Sequence, residues 1–395
     1  MWLNANMKAF YLFCLLMCGC VTSYCNDSLI HAILLRLNTL QVQHEPYFPA
    51  GLYPCYRQYA KNRVSVKKDD NIFYTGLVGF TLRRIRPQLS EEDKILCDSI
   101  FARIAIVAPK FKNQKGRETY NFWRTDTTKV FPNSGWINMF DKVNALADDF
   151  DDTNIMMMVL NQPASVAEQV HTIMQGFVNG NGQTVKTALK DYKNYAAYST
   201  WFGKKMVIEL DACILSNTLY MVQNYNLAWT KADSISLNFL VHMIEKRDYM
   251  KHPGAMSVYY VTSPIILYHL ARLMSLKTIA ELEKYKPRLI SDAMHEYANT
   301  NSLMEKVILR TALLQWGAEP SASETIKADN IIKDAEQSDF VFFIANLACT
   351  LPGYLAYPLV NSGITKFYFY CPAYNDALLL EYIIEQKKYD KVKLQ

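Results

Sequence analysis

The sequence predicts an all-α protein in which antiparallel helix pairs are arranged as an (α/α) toroid. Apolar residues recur at helical spacing in about a dozen segments, and short polar or Pro- and Gly-bearing connections separate these segments. The chain has 395 residues, of which 50% are hydrophobic and 20% are charged, an ordinary globular mixture that can bury a large core. One large helical domain is therefore expected, and parallel α/β folds are disfavoured.

Helix boundaries follow from capping and stop signals. Ser90 and Ser302 each precede an acidic residue by three positions and an apolar run, as at a capped helix start. Pro264 and Pro287 lie inside two predicted helices, so each of these helices is either kinked or begins later. The predicted helices are 30–40, 72–85, 95–107, 151–160, 165–177, 209–223, 231–245, 258–274, 280–297, 307–316, 329–346 and 374–385.

Three stretches do not have the helical pattern. Residues 365–370 alternate as a short extended segment would. Residues 111–148 and 178–205 carry aromatic side chains among Gly and Asn, and long loops of this kind in a compact domain are usually functional. We expect them to lie over one end of a central cavity. Among their aromatic residues are Trp123, Trp136, Tyr195, Tyr198, Trp201 and Phe202.

The N-terminus differs from the rest of the chain. An apolar run from Ala9 to Val21 follows Lys8, as in a secretory signal, and Met17 to Cys20 resembles a lipid-attachment box. We therefore divide the chain into residues 1–25, a signal peptide or a membrane or lipid anchor, and residues 26–395, the helical domain. This predicts an exported protein of the periplasm or cell envelope, with membrane association through the N-terminus if the segment is retained.

Charge and cysteine usage exclude some classes of function. The formal net charge is only +5 and the basic residues are scattered, so a nucleic-acid partner is not expected. The nine Cys contain no C-x-x-C pair and the seven His have no metal-ligand spacing, so neither a metal site nor a disulfide scaffold is predicted.

The most specific feature is an acidic cluster, residues 148–153, which reads Asp-Asp-Phe-Asp-Asp-Thr and precedes the apolar run 155–160. Two interpretations remain open. Carboxylates packed this closely cannot all ionise away from water, so one of them would keep a proton and serve as an acid. Alternatively, the Asp residues only cap a helix, since Asp is favoured at N-caps and in first turns.

Residues 149–153, Asp-Phe-Asp-Asp-Thr, resemble the Asp-x-Asp-Asp-Thr motif of class II terpene cyclases such as the squalene-hopene cyclases, which are (α/α) toroids. The resemblance implies acid-initiated cyclisation of an isoprenoid, an isomerase- or lyase-type reaction on a small hydrophobic substrate. It implies that Asp151 is the general acid and that Asp149 and Asp152 support it. No cofactor is implied.

The same acids also resemble the Asp-Asp-x-x-Asp motif of class I terpene synthases, starting from Asp148. That resemblance implies Mg²⁺ only if a diphosphate substrate is bound. The second metal motif of those enzymes has no clear counterpart, so class I is the weaker match.

Asp211 and Asn217 are further candidates. Asp211 is either a first-turn acid or a second carboxylate that lines the cavity. A second carboxylate supports an alternative function, an exported glycan hydrolase or lyase on the same toroid, with aromatic residues stacking on sugars. A non-catalytic binding protein of the same fold is the other alternative. The expected substrate-binding residues are Asp148, Asp211, Asn217, Trp136, Trp201 and Tyr198.

Overall fold

The computed structural model describes residues 27–127, 147–203, 207–320, 330–346, 359 and 364–394. The predicted signal peptide or anchor, residues 1–25, and Trp136 lie outside the described residues. Among the helices of the described ranges, none combines the length and apolar character needed to span a membrane.

The described chain is mostly helical, with one small sheet. The helices are α1 (27–40), α2 (Phe73–Ile85), α3 (Glu91–Val107), α4 (Phe150–Val159), α5 (Ala164–Met174), α6 (Ala212–Asn224), α7 (Lys231–Lys246), α8 (Asp248–Lys251), α9 (Pro253–Met256), α10 (Ser263–Leu276), α11 (Ala280–Glu283), α12 (Lys286–Asn299), α13 (Leu303–Gln315), α14 (Ile331–Glu336) and α15 (Pro372–Lys393). The strands are β1 (Cys55–Tyr59), β2 (Asn62–Asp69), β3 (Phe343–Asn346) and β4 (Lys366–Tyr370).

The predicted helix starts are confirmed where a capping residue marks them. Ser90 accepts a hydrogen bond from the backbone N–H of Asp93 at 3.2 Å, and Ser302 accepts one from Glu305 at 3.4 Å. Pro264 and Pro287 lie in the first turns of α10 and α12, where a missing N–H costs nothing, so both helices begin later than predicted.

The prediction of an all-α fold is wrong in one respect, because the strands form a four-stranded antiparallel sheet in the order β2-β1-β4-β3. The extended segment predicted at 365–370 is confirmed as β4. The helix predicted at 329–346 is wrong, since α14 ends at Glu336 and β3 follows. A short strand such as β3 gains its backbone partners from β4, a distant segment that no local pattern reveals.

Six helices make a circuit of contacts: α2 packs on α4, α4 on α6, α6 on α10, α10 on α13, α13 on α15, and α15 on α2. Helix α4 is buried on every side, as its uninterrupted apolar run predicts. Glycines let α2 approach it closely. A Cβ added at Gly76 would lie 2.9 Å from Ile155 Cγ2, and one at Gly79 would lie 2.8 Å from Val159 Cγ1.

The sheet is placed by the helices that follow its strands. Strand β2 leads into α2, and β4 leads into α15. Phe343 of β3 packs its ring 4.7 Å from that of Phe73 at the start of α2, and 5.8 Å from those of Tyr259 and Tyr260 in the segment before α10. The sheet therefore lies against the N-terminal ends of α2 and α10.

Candidate functional site

The acidic cluster lies at the buried N-terminal end of α4. Asp149 is the N-cap, and its Oδ1 accepts a hydrogen bond from the backbone N–H of Asp152 at 2.7 Å. The backbone of Asp149 forms bridges with Tyr120 on one side and Trp201 on the other. The capping interpretation is therefore confirmed for Asp149, but it leaves the other carboxyl groups of the cluster to be explained.

Asp149 and Asp152 form an acid pair. Burial raises the pKa of both carboxyl groups, and their mutual repulsion raises that of Asp152 well above its usual range. Within the described residues, neither carboxyl oxygen of Asp152 accepts a hydrogen bond from a donor. The two side chains are hydrogen-bonding partners when Asp152 carries a proton. A buried pair of this kind holds one proton, because two adjacent carboxylates cannot both ionise away from water.

Asp151 has a different environment. Its Oδ1 accepts a hydrogen bond from Asn217 Nδ2 at 2.5 Å, and its Oδ2 accepts one from the hydroxyl of Tyr260. Burial raises the pKa of Asp151 to about 6, and these two hydrogen bonds oppose that rise. Asp151 is therefore a carboxylate at neutral pH, whereas the pair beside it keeps a proton.

Asp211 caps α6. Its Oδ1 accepts hydrogen bonds from the backbone of Cys213 and Ile214, at 2.9 and 3.2 Å, and from the Ser257 hydroxyl at 2.7 Å. Its Oδ2 accepts one from the backbone N–H of Tyr259 at 3.0 Å. Asp211 is therefore the N-cap of α6, one position before the first turn in which an acid was predicted, and its role as a second carboxylate lining a cavity stays a prediction.

Two other predicted binding residues, Asp148 and Tyr198, form hydrogen bonds with other segments of the protein. Asp148 accepts hydrogen bonds from Asn113 Nδ2 at 2.5 Å and Thr119 Oγ1 at 2.6 Å. These bonds hold the loop after α3, which contains both donors, against the start of α4. Tyr198 donates to Asp233 at 2.9 Å, and Asp233 also contacts the ring of His171 at 3.0 Å. Both side chains are thus engaged in hydrogen bonds within the protein, and their substrate-binding role stays a prediction.

Trp201 lies beside a carboxylate that the sequence did not single out. Its indole Nε1 donates to Glu209 at 3.1 Å, and the hydroxyl of Tyr259 donates to the same carboxylate oxygen. Burial raises the pKa of Glu209 to about 7, and these hydrogen bonds oppose the rise. From the sequence, Glu209 is only the first residue of the predicted helix 209–223. Its partners come from the preceding loop and from the segment before α10, so no local pattern could have revealed the site.

Arg272 is the other functional residue missed from the sequence, although a lone Arg within the apolar run of α10 was a signal. It is 1% exposed and donates to the side-chain oxygen of Asn217. Its guanidinium lies 5.0 Å from the ring centre of Phe80 and 5.2 Å from that of Tyr268. Asn217 thus lies between a buried cation and Asp151.

This arrangement combines a protonated acid pair with two further buried carboxyl groups, Asp151 and Glu209, among aromatic rings. Such a site can donate a proton and stabilise positive charge. In the described part of the chain, no group of three or more His, Cys, Asp or Glu side chains is placed to hold a metal ion. The sequence matches no protein-family model and no curated protein, and the structure matches no solved structure.

Proposed function

We propose that the protein is an (α/α) toroid that uses a buried carboxylic acid to start the cyclisation of an isoprenoid. The circuit of contacts among α2, α4, α6, α10, α13 and α15 supports an inner ring, and α4, which is buried on every side, belongs in its core. Helices α3, α7 and α12 keep exposed faces and pack on members of this circuit, as an outer layer would.

The observation that carries the proposed function is the acid pair at the start of α4. Asp152 is the carboxyl group that carries a proton at neutral pH, because its pKa is raised further than that of Asp151 and no donor stabilises its anion. This assignment differs from the one that the motif resemblance implies, in which Asp151 is the acid. Asp149 and Asp151 then supply negative charge beside the donor.

In the proposed reaction, Asp152 transfers its proton to a terminal alkene carbon of the substrate. The π electrons form the new C–H bond, and the adjacent carbon becomes a carbocation. Ring closure moves the positive charge along the chain until a carbon next to the final cation loses a proton to solvent water. The Asp152 carboxylate takes one proton back from solvent, so the cycle has no net change in protons. Rings near the acids, including those of Tyr259 and Tyr260, favour a cation through their π faces.

The test is turnover of linear isoprenoids, with and without a diphosphate, by the wild type and by Asp152→Asn. We expect cyclic products from the wild type and none from the variant, whose amide has no acidic proton. Asp376→Asn is the matched control, because Asp376 is also buried, has a raised pKa and lacks a donor partner in the described chain, but belongs to α15 and pairs with Glu336. Equal turnover by Asp152→Asn and the wild type would refute the proposal.

Glu209 favours a second candidate, hydrolysis or elimination on a glycan. Because the pKa of Glu209 is near neutrality, this side chain can act as an acid or a base. Trp201, which donates to Glu209, also forms a backbone bridge with Asp149 and therefore lies beside the acid pair. The two candidates differ in the residue they require. Loss of polysaccharide cleavage in Glu209→Gln, with no isoprenoid turnover in the wild type, would select the glycan reaction.

A further inference from the structure

Arg272 is a buried cation whose direct side-chain partner among the described residues is not a carboxylate. Its Nη2 donates to the amide oxygen of Asn217, and its Nη1 has no hydrogen-bond partner there. Burying a guanidinium costs several kcal/mol unless nearby charge offsets it. A cation kept at such a position needs an explanation beyond packing.

Asn217 connects this cation to the acidic cluster. Its amide oxygen accepts from Arg272, and its amide nitrogen donates to Asp151 Oδ1 at 2.5 Å. The donation from Arg272 fixes which end of the amide faces Asp151, because a guanidinium can only donate. With Tyr260 donating to Oδ2, both oxygens of Asp151 accept hydrogen bonds, which favours the ionised form.

The titratable and charged groups around Asp151 come from several elements. Asp211 is the N-cap of α6 and Cys213 lies in its first turn, Tyr260 lies in the segment before α10, and Arg272 belongs to α10. The acid pair, Asp149 and Asp152, lies on the same turn as Asp151 itself. Arg272 opposes the effect of the acidic neighbours, whereas a negative Asp151 disfavours ionisation of the pair.

We propose that Arg272 is a positioning residue that acts through Asn217 to keep Asp151 ionised, and that the charge of Asp151 helps to keep one proton on the acid pair. This inference rests on the proposed function, because it explains how the proton donor stays protonated before the reaction. It requires no contact between Arg272 and the substrate.

The experiment is a pH titration of the protein labelled with ¹³C at the Asp carboxyl carbons, followed by NMR, with signals assigned from the Asp→Asn variants. In Arg272→Gln, which can still donate to Asn217 but lacks the charge, we expect Asp151 to titrate at higher pH. Arg272→Lys restores the charge and should move the Asp151 signal back towards its wild-type position. Asn217→Ser, which cannot bridge Arg272 and Asp151, should shift Asp151 in the same direction as Arg272→Gln.

Arg84→Gln is the matched control. Arg84 is also largely buried, with its guanidinium 5.8 Å from the same Phe80 ring, but it pairs with Glu381. We expect it to leave Asp151 and Asp152 unchanged. A rise in the pKa of Asp151 identifies the effect of the Arg272 charge, whereas loosened packing would lower that pKa towards the ordinary Asp value. An absent or downward shift, or the same result from Arg84→Gln, would overturn the proposal. The titration needs no turnover, so it remains decisive even if no isoprenoid is converted.

Discussion

Tyr260 donates its hydroxyl to Asp151 across the boundary between the segment before α10 and the first turn of α4. Both side chains are buried, with exposed fractions of 0% and 4%. The hydrogen bond favours the carboxylate over the neutral acid, because it opposes the rise in the pKa of Asp151 that burial causes. Its contribution to stability therefore depends on pH.

Tyr260→Phe should lower the free energy of unfolding at pH 8 by about 1.5 to 3 kcal/mol, the range for a hydrogen bond to a charged group. The loss should be smaller at pH 5, where Asp151, with a pKa of about 6, is largely protonated. Urea unfolding at the two pH values measures it. Tyr53→Phe is the control, because the buried Tyr53 hydroxyl has no partner among the described residues. An equal loss at both pH values would contradict the assignment of charge to Asp151.

Asp152→Asn should become more stable relative to the wild type as the pH rises from 5 to 8. The folded protein holds the Asp152 proton more tightly than the unfolded chain, because burial and Asp149 raise its pKa. The stability from this group is fully present below the unfolded pKa of about 3.9 and is lost as the pH rises through the folded pKa. An amide does not titrate, so the variant escapes this loss. Melting temperatures at pH 5 and pH 8 provide the measurement, and an unchanged difference would mean that Asp152 is not protonated.

Gly79→Ala should reduce the free energy of unfolding by about 1 to 3 kcal/mol, the usual effect of overpacking, despite the better helix propensity of Ala. The added Cβ would lie 2.8 Å from Val159 Cγ1 and 2.9 Å from Ile104 Cδ1, where α2, α3 and α4 meet. Chemical denaturation measures the loss. Gly254→Ala, with only ordinary contacts at 3.8 Å and beyond, is the control. Adding Val159→Ala to Gly79→Ala should relieve part of the strain. If the losses in the free energy of unfolding of the two single variants simply add in the double variant, the contact between residue 79 and Val159 is not the cause.

Arg84→Met should destabilise the protein by about 3 to 5 kcal/mol, because it leaves the fully buried Glu381 without its cation. Glu381 then retains the hydroxyl of Tyr268 as a donor, which does not neutralise its charge. The double variant Arg84→Met/Glu381→Leu should be more stable than Arg84→Met alone, since no uncompensated charge remains. Denaturant unfolding of the two variants provides the comparison, and a double variant less stable than Arg84→Met would show that the pair contributes net stability.

Local signals in the sequence predicted much of the helical structure. Ser90 and Ser302 marked helix starts because a cap acts on the backbone three residues away, within reach of a sequence pattern. The sheet was mostly missed because β1 pairs with β4 at the other end of the chain. Strand β4 was visible from its own alternation, but β1 was not, so the sheet depends on a pairing that the sequence does not show.

The candidate site was predicted only in part, because the sequence shows local features but not contacts between distant segments. The acidic cluster is contiguous, so its density of carboxylates was visible in the sequence. The difference in ionisation between Asp151 and Asp152 was not visible in the sequence. It depends on Asn217, Tyr260 and Arg272, which come from distant segments. Glu209 was missed because its donors also come from elsewhere in the chain.

The pairing of β1 with β4 has a consequence for biosynthesis. Tyr74 of α2 donates to the backbone oxygen of Phe369 at 2.6 Å, and the two residues are 295 positions apart in the sequence. While the ribosome is still making the middle of the chain, the β1–β2 hairpin has no third strand, and an isolated hairpin is at best marginally stable. Helix α2 also lacks its packing partner α15 until that C-terminal helix has been synthesised. A nascent chain that stalls before residue 366 would therefore expose an unpaired strand edge, which makes it a target for chaperones and for aggregation.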